Sequence, residues 1–159
     1  MKLYRHKVQY YETDQMGIVH HSNYIRWFEE ARINLMDQMG ISYQKMEEMG
    51  IISPVLSVEA DFLRMVRFGG NVLIRAIVTE YNSIKLAVSY QVIDKSTNMV
   101  HCKGVTRHCF LNEKGRPISL KKSYPRLHEL FEQEYQKGKQ LEEKKQESDS
   151  SKNHSEAES

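Results

Sequence analysis

From Leu56 to Phe110 apolar residues recur at every second position, in four runs separated by short breaks. Leu56, Val58, Ala60 and Phe62 alternate with Ser57, Glu59, Asp61 and Leu63. Val72, Ile74, Ala76 and Val78 make the next run, and Ile84, Leu86, Val88, Tyr90 and Val92 the third, against Lys85, Ser89 and Gln91. The last run sets Val100, Cys102, Thr106, His108 and Phe110 against His101, Lys103 and Arg107. Side chains of a strand point to alternate faces, so each run reads as a strand with one buried face. The breaks are Phe68-Gly69-Gly70-Asn71, Tyr81-Asn82-Ser83 and Lys95-Ser96-Thr97-Asn98. They are rich in turn residues and too short for a crossover helix. A doubly wound parallel sheet is therefore excluded, and an antiparallel meander is expected. Leu3 to Tyr11, less tidy in its alternation, supplies a first strand.

One long helix must cover that sheet. Tyr24, Trp27, Phe28, Ala31, Leu35 and Met39 fall at steps of three and four, the spacing of a helix with one buried stripe. Ser22 stands at the expected N-cap and Gly40 just past the end. Such a helix is on the order of 25 Å long at 1.5 Å per residue. Ser42 to Gly50 adds a short helical turn. The expected fold is α+β: an antiparallel sheet of about five strands wrapped around one long central helix, the hotdog arrangement. The outer sheet face is left to solvent or to a partner subunit. Pro125, an acceptable first helical residue, precedes Leu127, Leu130 and Phe131, and a short C-terminal helix to about Tyr135 is expected. From residue 137 on, Lys, Gln, Glu and Ser dominate. Residues 1–136 thus read as one domain and residues 137–159 as a polar tail too poor in apolar surface to order.

The chain has 159 residues, 40% of them apolar, and a net charge of only +2. That balance gives no ground for nucleic-acid binding. No apolar run approaches the length of a membrane span, and the N-terminus opens directly on a strand-like pattern, so a cytoplasmic protein with no integral membrane segment is expected. Cys102 and Cys109 lie seven apart in one strand, on opposite faces, which forbids a bond between them. Their spacing to histidines supports no metal site.

Chemistry concentrates just before the helix. Glu12 to Gly17 is a polar turn, followed by His20 and His21. Asp14 can serve there as a general base or a nucleophile, or be an ordinary turn aspartate. The free N–H groups and positive end of the helix can hold an anion or a developing oxyanion, and Gly17 lets the backbone approach a ligand. Together these parts suit acyl transfer. His21 could orient substrate or move a proton, or merely cover the helix start. Tyr10 could hydrogen-bond near the turn or pack in its strand; Glu12 and Glu29 are secondary candidates. From Lys103 to Arg126 seven basic residues stand against the single acid Glu113, a solvated face or a site for the phosphates of a nucleotide-tailed ligand.

The string from Tyr10 to Tyr24, YYETDQMGIVHHSNY, resembles the signature of the hotdog acyl-CoA thioesterases of the 4-hydroxybenzoyl-CoA thioesterase family, closest to the Tol–Pal-associated branch. The resemblance implies hydrolysis of an acyl-CoA thioester to the free acid and CoA, with no metal or other cofactor. It implies that Asp14 is the catalytic nucleophile or general base, and that Tyr10 and His21 match site residues of the branch. The backbone N–H at His21 then falls where the family polarises the thioester carbonyl. It also implies a homodimer or homotetramer binding its substrate across a subunit interface. Glu12 stands where the branch usually has Asp, and His20 where it often has Tyr. Two other readings are a hotdog enoyl-CoA hydratase or dehydratase, and a non-catalytic acyl-CoA-binding module. The hydratases space Asp and His by four intervening residues, whereas six separate Asp14 and His21. A sensing module would normally carry a DNA-binding segment, and nothing here looks like a helix-turn-helix.

Overall fold

A computed structural model describes residues 2–157 of the chain; Met1 of the expected domain and the last two residues of the expected tail lie outside the described residues. Five antiparallel strands form one sheet in the order β1-β3-β4-β5-β2: β1 Tyr4–Lys7, β2 Val55–Phe62, β3 Asn71–Tyr81, β4 Lys85–Asp94 and β5 Val100–Cys109. The alternation read from the sequence holds for the last three runs, whereas on the edge strand β2 Val58 and Ala60 are only half-buried and Leu56 and Phe62 are more than half exposed. Val72, Ile74, Ala76 and Val78, then Leu86, Val88, Tyr90 and Val92, then Cys102, Thr106 and His108, are buried on the inner face. Helix α1, Ser22–Met39, lies across that face with every residue of its expected stripe buried. Asn23, Arg32 and Met36 are buried with them. Gly104 explains how the helix comes so close: a Cβ there would overlap the Phe28 ring, which stacks on Tyr90 with centroids 4.6 Å apart. Gly40 ends α1 with φ 89°. Helix α2, Tyr43–Glu48, starts at Ser42, whose hydroxyl accepts from Lys45 N–H at 3.0 Å.

The sheet is not a simple meander. β2 pairs with β5 at one edge, while β3, next in the chain, lies beyond β4 and pairs with β1. The connection from Leu63 to Gly70 therefore crosses the end of the sheet. It is tied there by Leu63 and Arg64 N–H groups to the His101 carbonyl, and by Val19 N–H to the Val66 carbonyl at 2.8 Å. Local periodicity says nothing of which edge a strand joins. That crossing brings the segment before α1 onto the connection itself, through an antiparallel bridge between Ile18 and Arg67.

Two chain ends also differ from expectation. β1 stops at Lys7 rather than reaching Tyr11, because Val8 N–H turns to the Gly70 carbonyl and Tyr10–Glu12 form a 3₁₀ turn. At the other end α3, Leu120–Ser123, precedes α4, which starts at Pro125 as expected but runs to Ala157, 33 residues, instead of ending near Tyr135. It passes through the stretch expected to be a disordered tail. No proline interrupts it, and Lys, Glu and Gln are fair helix formers. Leu127 and Phe131 bury into the core, and Phe131 stacks with Tyr81 at 5.6 Å. Gly138 then lets the helix rest on β3: a Cβ there would overlap the Val78 carbonyl and crowd Ile77 Cγ2. One turn on, Leu141 and Lys145 line a groove of about 340 Å³ with Arg75, Ile77 and Thr79. These sheet residues alternate with the buried inner-face positions and are half-buried, so part of the outer face lies against the chain's own helix.

Candidate active site

The turn before α1 is built on Glu12. Its carboxylate is buried, 5% exposed, and three donors converge on it: Gln9 N–H at 2.7 Å, His6 Nε2 at 2.8 Å and Trp27 Nε1–H at 2.6 Å. An ionised carboxylate only accepts, so Nε2 is the protonated nitrogen of His6. Burial by itself would raise the Glu12 pKa, but the bonds from Gln9, His6 and Trp27 outweigh it and hold the carboxyl below its usual range. The Glu12 carbonyl accepts two more, from His20 N–H at 2.9 Å and Asn23 Nδ2 at 2.8 Å. The residue set aside as a turn acid thus ties β1, the turn and the start of α1 together. Its sequence signal is weak, because nothing local says that Trp27 and His6 reach the same carboxylate.

Asp14 follows two residues later. Its N–H donates to the Ile18 carbonyl at 2.8 Å, and its own carbonyl accepts from Gly17 N–H at 3.0 Å. Gly17 has φ 73°, which an L side chain rarely adopts, and this closes the loop. Asp14 Oδ1 accepts from Met16 N–H at 2.8 Å. Among the described residues nothing donates to Oδ2, so one carboxylate oxygen is held and the other is free.

His21 occupies the cap position of α1, already in helical conformation, and Ser22 is the first helical residue rather than the cap. The imidazole of His20 takes over the capping role: Ser22 N–H donates to His20 Nδ1 at 3.2 Å, and the Ser22 hydroxyl lies 2.8 Å from the same nitrogen. Nothing among the described residues accepts from the His21 N–H. The His21 ring is exposed, 4.1 Å from that of His20.

Asp14 and His21 line one cleft of about 420 Å³ together with Ile18, Tyr24, Phe62, Arg64 and Met65. Tyr24 and Phe62 lie 5.1 Å apart, and burial pushes the Tyr24 phenol up to about 12. Phe62 and Met65 are more than half exposed, so the cleft has an open apolar wall. Of the three site residues expected from the sequence, Tyr10 stands apart. It is 77% exposed, its ring packs edge-on to Phe68 at 5.7 Å, and it does not line the cleft. Glu29 is exposed on α1. Nearby Cys102 is fully buried, which pushes its thiol up to about 12 and removes it as a nucleophile. Among the described residues no three histidines, cysteines or carboxylates gather to hold a metal ion.

Residues 8–141 match the thioesterase-like superfamily. YneP of Bacillus subtilis, whose name provisionally assigns it acyl-CoA thioesterase activity, is 32% identical over 127 residues, spanning 79% of this chain and 91% of its own. The DHNA-CoA thioesterase of Staphylococcus aureus superposes with a TM-score of 0.79 at 28% identity, over 83% of this chain and 89% of its own. A hypothetical protein of Aquifex aeolicus superposes with a TM-score of 0.74 at 32% identity, over 81% of this chain and 98% of its own.

Proposed function

The chain belongs to the thioesterase-like superfamily and is a thioester hydrolase, and from that premise we propose that it hydrolyses an acyl-CoA thioester at the cleft shared by Asp14 and His21. The observation that carries the site is that Asp14, with one carboxylate oxygen that has no donor, and His21, with a helix-terminal N–H that has no acceptor among the described residues, line one cleft. The thioester carbonyl oxygen accepts from the His21 N–H, aided by the positive end of α1, and gains negative charge as its carbon is attacked. Asp14 Oδ2 attacks that carbon itself, or takes a proton from the water that does. The carbon–sulfur bond breaks and CoA leaves as the thiolate; if Asp14 attacked, water then cleaves the mixed anhydride to free the acid and Asp14, and in either route the proton released from water passes to the thiolate or the solvent. His21 contributes through its backbone. The likeness of the motif to the Tol–Pal-associated branch is part of this proposal.

A homo-oligomer completes it. β2 is an edge strand with one side unpaired, and Leu56, Phe62 and Leu63 on it or beside it are all more than half exposed. Such an edge suits pairing with a second copy. Among the described residues no helix is long and apolar enough to cross a membrane.

Thiol release from a panel of short, long and aromatic acyl-CoAs, compared between wild type and Asp14→Asn, tests the reading. Loss of about a hundredfold or more in kcat is expected in the variant, as for removal of a catalytic base or nucleophile. Unchanged turnover would remove Asp14 from the mechanism. Hydration of an enoyl-CoA with no thiol released would decide for a hydratase.

A further inference from the structure

We infer that Glu12 is a positioning residue for thioester hydrolysis: its buried carboxylate sets where Asp14 stands relative to the α1 N-terminus. The inference rests on the reading of Asp14 and the His21 N–H as the reacting groups.

The carboxylate is the point where three otherwise separate pieces of the chain meet. His6 belongs to β1, Gln9 to the start of the 3₁₀ turn and Trp27 to the second turn of α1. His6 is itself held from a second side, 3.7 Å from Glu30 on α1, and its ring lies 4.8 Å from that of Trp27. Tyr4 donates to the same Glu30 carboxylate at 2.7 Å. Hydrogen bonds to the one Glu12 carboxylate therefore join β1, the turn and α1. The Glu12 carbonyl is fixed by His20 N–H and Asn23 Nδ2, which bracket the residue whose N–H faces the thioester. Asp14 is two residues downstream and gets its remaining anchors only from its own loop, Met16, Gly17 and Ile18. Glu12 is thus the residue that ties the start of this loop to α1, while the Ile18–Arg67 bridge and the Val19 N–H bond to the Val66 carbonyl tie its end to the connection after β2. Both parts of the reacting pair hang on one residue that does not line the cleft.

The chemistry of the anchor requires a carboxylate. Oε1 accepts from Gln9 N–H and His6, and Oε2 from Trp27. A glutamine has the same shape but one accepting oxygen, so it turns an NH₂ toward either the Trp27 indole N–H or the pair of donors opposite. An aspartate keeps both accepting oxygens on a shorter arm. Shape alone ranks glutamine as the milder change; the need for two accepting oxygens ranks aspartate as the milder one.

The test is steady-state kinetics of the full chain on its best acyl-CoA, with thermal midpoints measured alongside. Glu12→Gln is expected to lower kcat by about ten- to a hundredfold with KM within about twofold, the signature of a misplaced reacting group and not of lost substrate contacts. Glu12→Asp is expected to retain kcat within about fivefold of wild type, above the glutamine variant. Trp27→Phe, which removes one donor and keeps the ring packing, is expected to lower kcat by about threefold at constant KM, and it serves where Glu12→Gln does not fold. A folded Glu12→Gln enzyme with wild-type kcat, or a Trp27→Phe enzyme that loses only thermal midpoint, would overturn the inference, as would an aspartate variant worse than the glutamine one. If instead Asp14→Asn is fully active, the reading of the site fails first. If Asp14→Asn is inactive while Glu12→Gln is not, only the positioning role fails.

Discussion

α1 carries two buried polar clusters, and they are satisfied to different degrees. At its N-terminal end the Glu12 anion meets three donors on its carboxylate and two on its carbonyl. Farther along, Arg32 is only 8% exposed and has no carboxylate partner among the described residues. Its Nη1 donates to His108 Nε2 at 3.4 Å, a long bond. A relay leads to the same nitrogen: Tyr90 OH lies 2.7 Å from Thr106 Oγ1, which lies 2.7 Å from His108 Nε2. With Nε2 accepting from Arg32, the ring proton sits on Nδ1, which is buried without a partner. Burial, with Arg32 nearby, pulls the His108 pKa down to about 4. The contrast is instructive. The fully satisfied cluster holds the turn that carries Asp14, while the under-satisfied one is a stability liability inside the core.

The largest effect is expected from emptying the satisfied cluster. Glu12→Ala leaves His6, the Gln9 N–H and the Trp27 N–H facing a void, and a loss of about 3 to 5 kcal/mol in urea-denaturation stability is expected at neutral pH. A loss below about 1 kcal/mol would mean that the cluster is not anchoring the fold. Next comes acid. Unfolded His108 binds a proton near pH 6.5 and folded His108 only near 4, so between those values the unfolded chain holds more protons. Stability therefore falls as pH drops through that window, by up to about 3 kcal/mol from this group. His108→Leu is expected to flatten that slope. Glu12, with its lowered pKa, adds a further loss that begins as pH falls through the ordinary carboxylate value of 4.5 and continues until the folded carboxyl is protonated. The smallest effect is expected from Arg32→Met, which replaces an under-satisfied buried cation by an apolar chain of similar length. Stability within about 1 kcal/mol of wild type, or above it, is expected. A large loss would show that Arg32 finds its counter-ion elsewhere, as in an assembly.

Much of the site was legible because its parts are contiguous. Asp14, Gly17 and His21 fall within eight residues, and the helix they precede announces itself by its stripe. The place of Asp14 and His21 on one cleft needed only that short loop to close. What could not be read was the part of the lining that comes from after β2. Phe62, Arg64 and Met65 reach the cleft because β2 sits at the far edge beside β5 and its connection must cross the sheet end. Tyr10 shows the reverse: four residues from Asp14 in sequence, it is turned outward by the 3₁₀ turn and packs on Phe68.

By itself the sequence determined which segments are strands and helix and which faces they bury, since periods of two and near 3.6 are local properties that side chains cannot hide. The excluded parallel sheet, the α1 stripe, Gly40 at its end and Pro125 at the start of α4 all came from that level. Tertiary structure alone decided the edge that β2 joins, the burial of Glu12 against Trp27, and the passage of α4 past Tyr135 onto the outer sheet face. Each of these depends on groups far apart in the chain. Glu12 reads as a polar turn residue until a helix fifteen positions on supplies its indole donor. Gly138 gives no local signal of its role until the Val78 carbonyl takes the space its missing side chain leaves.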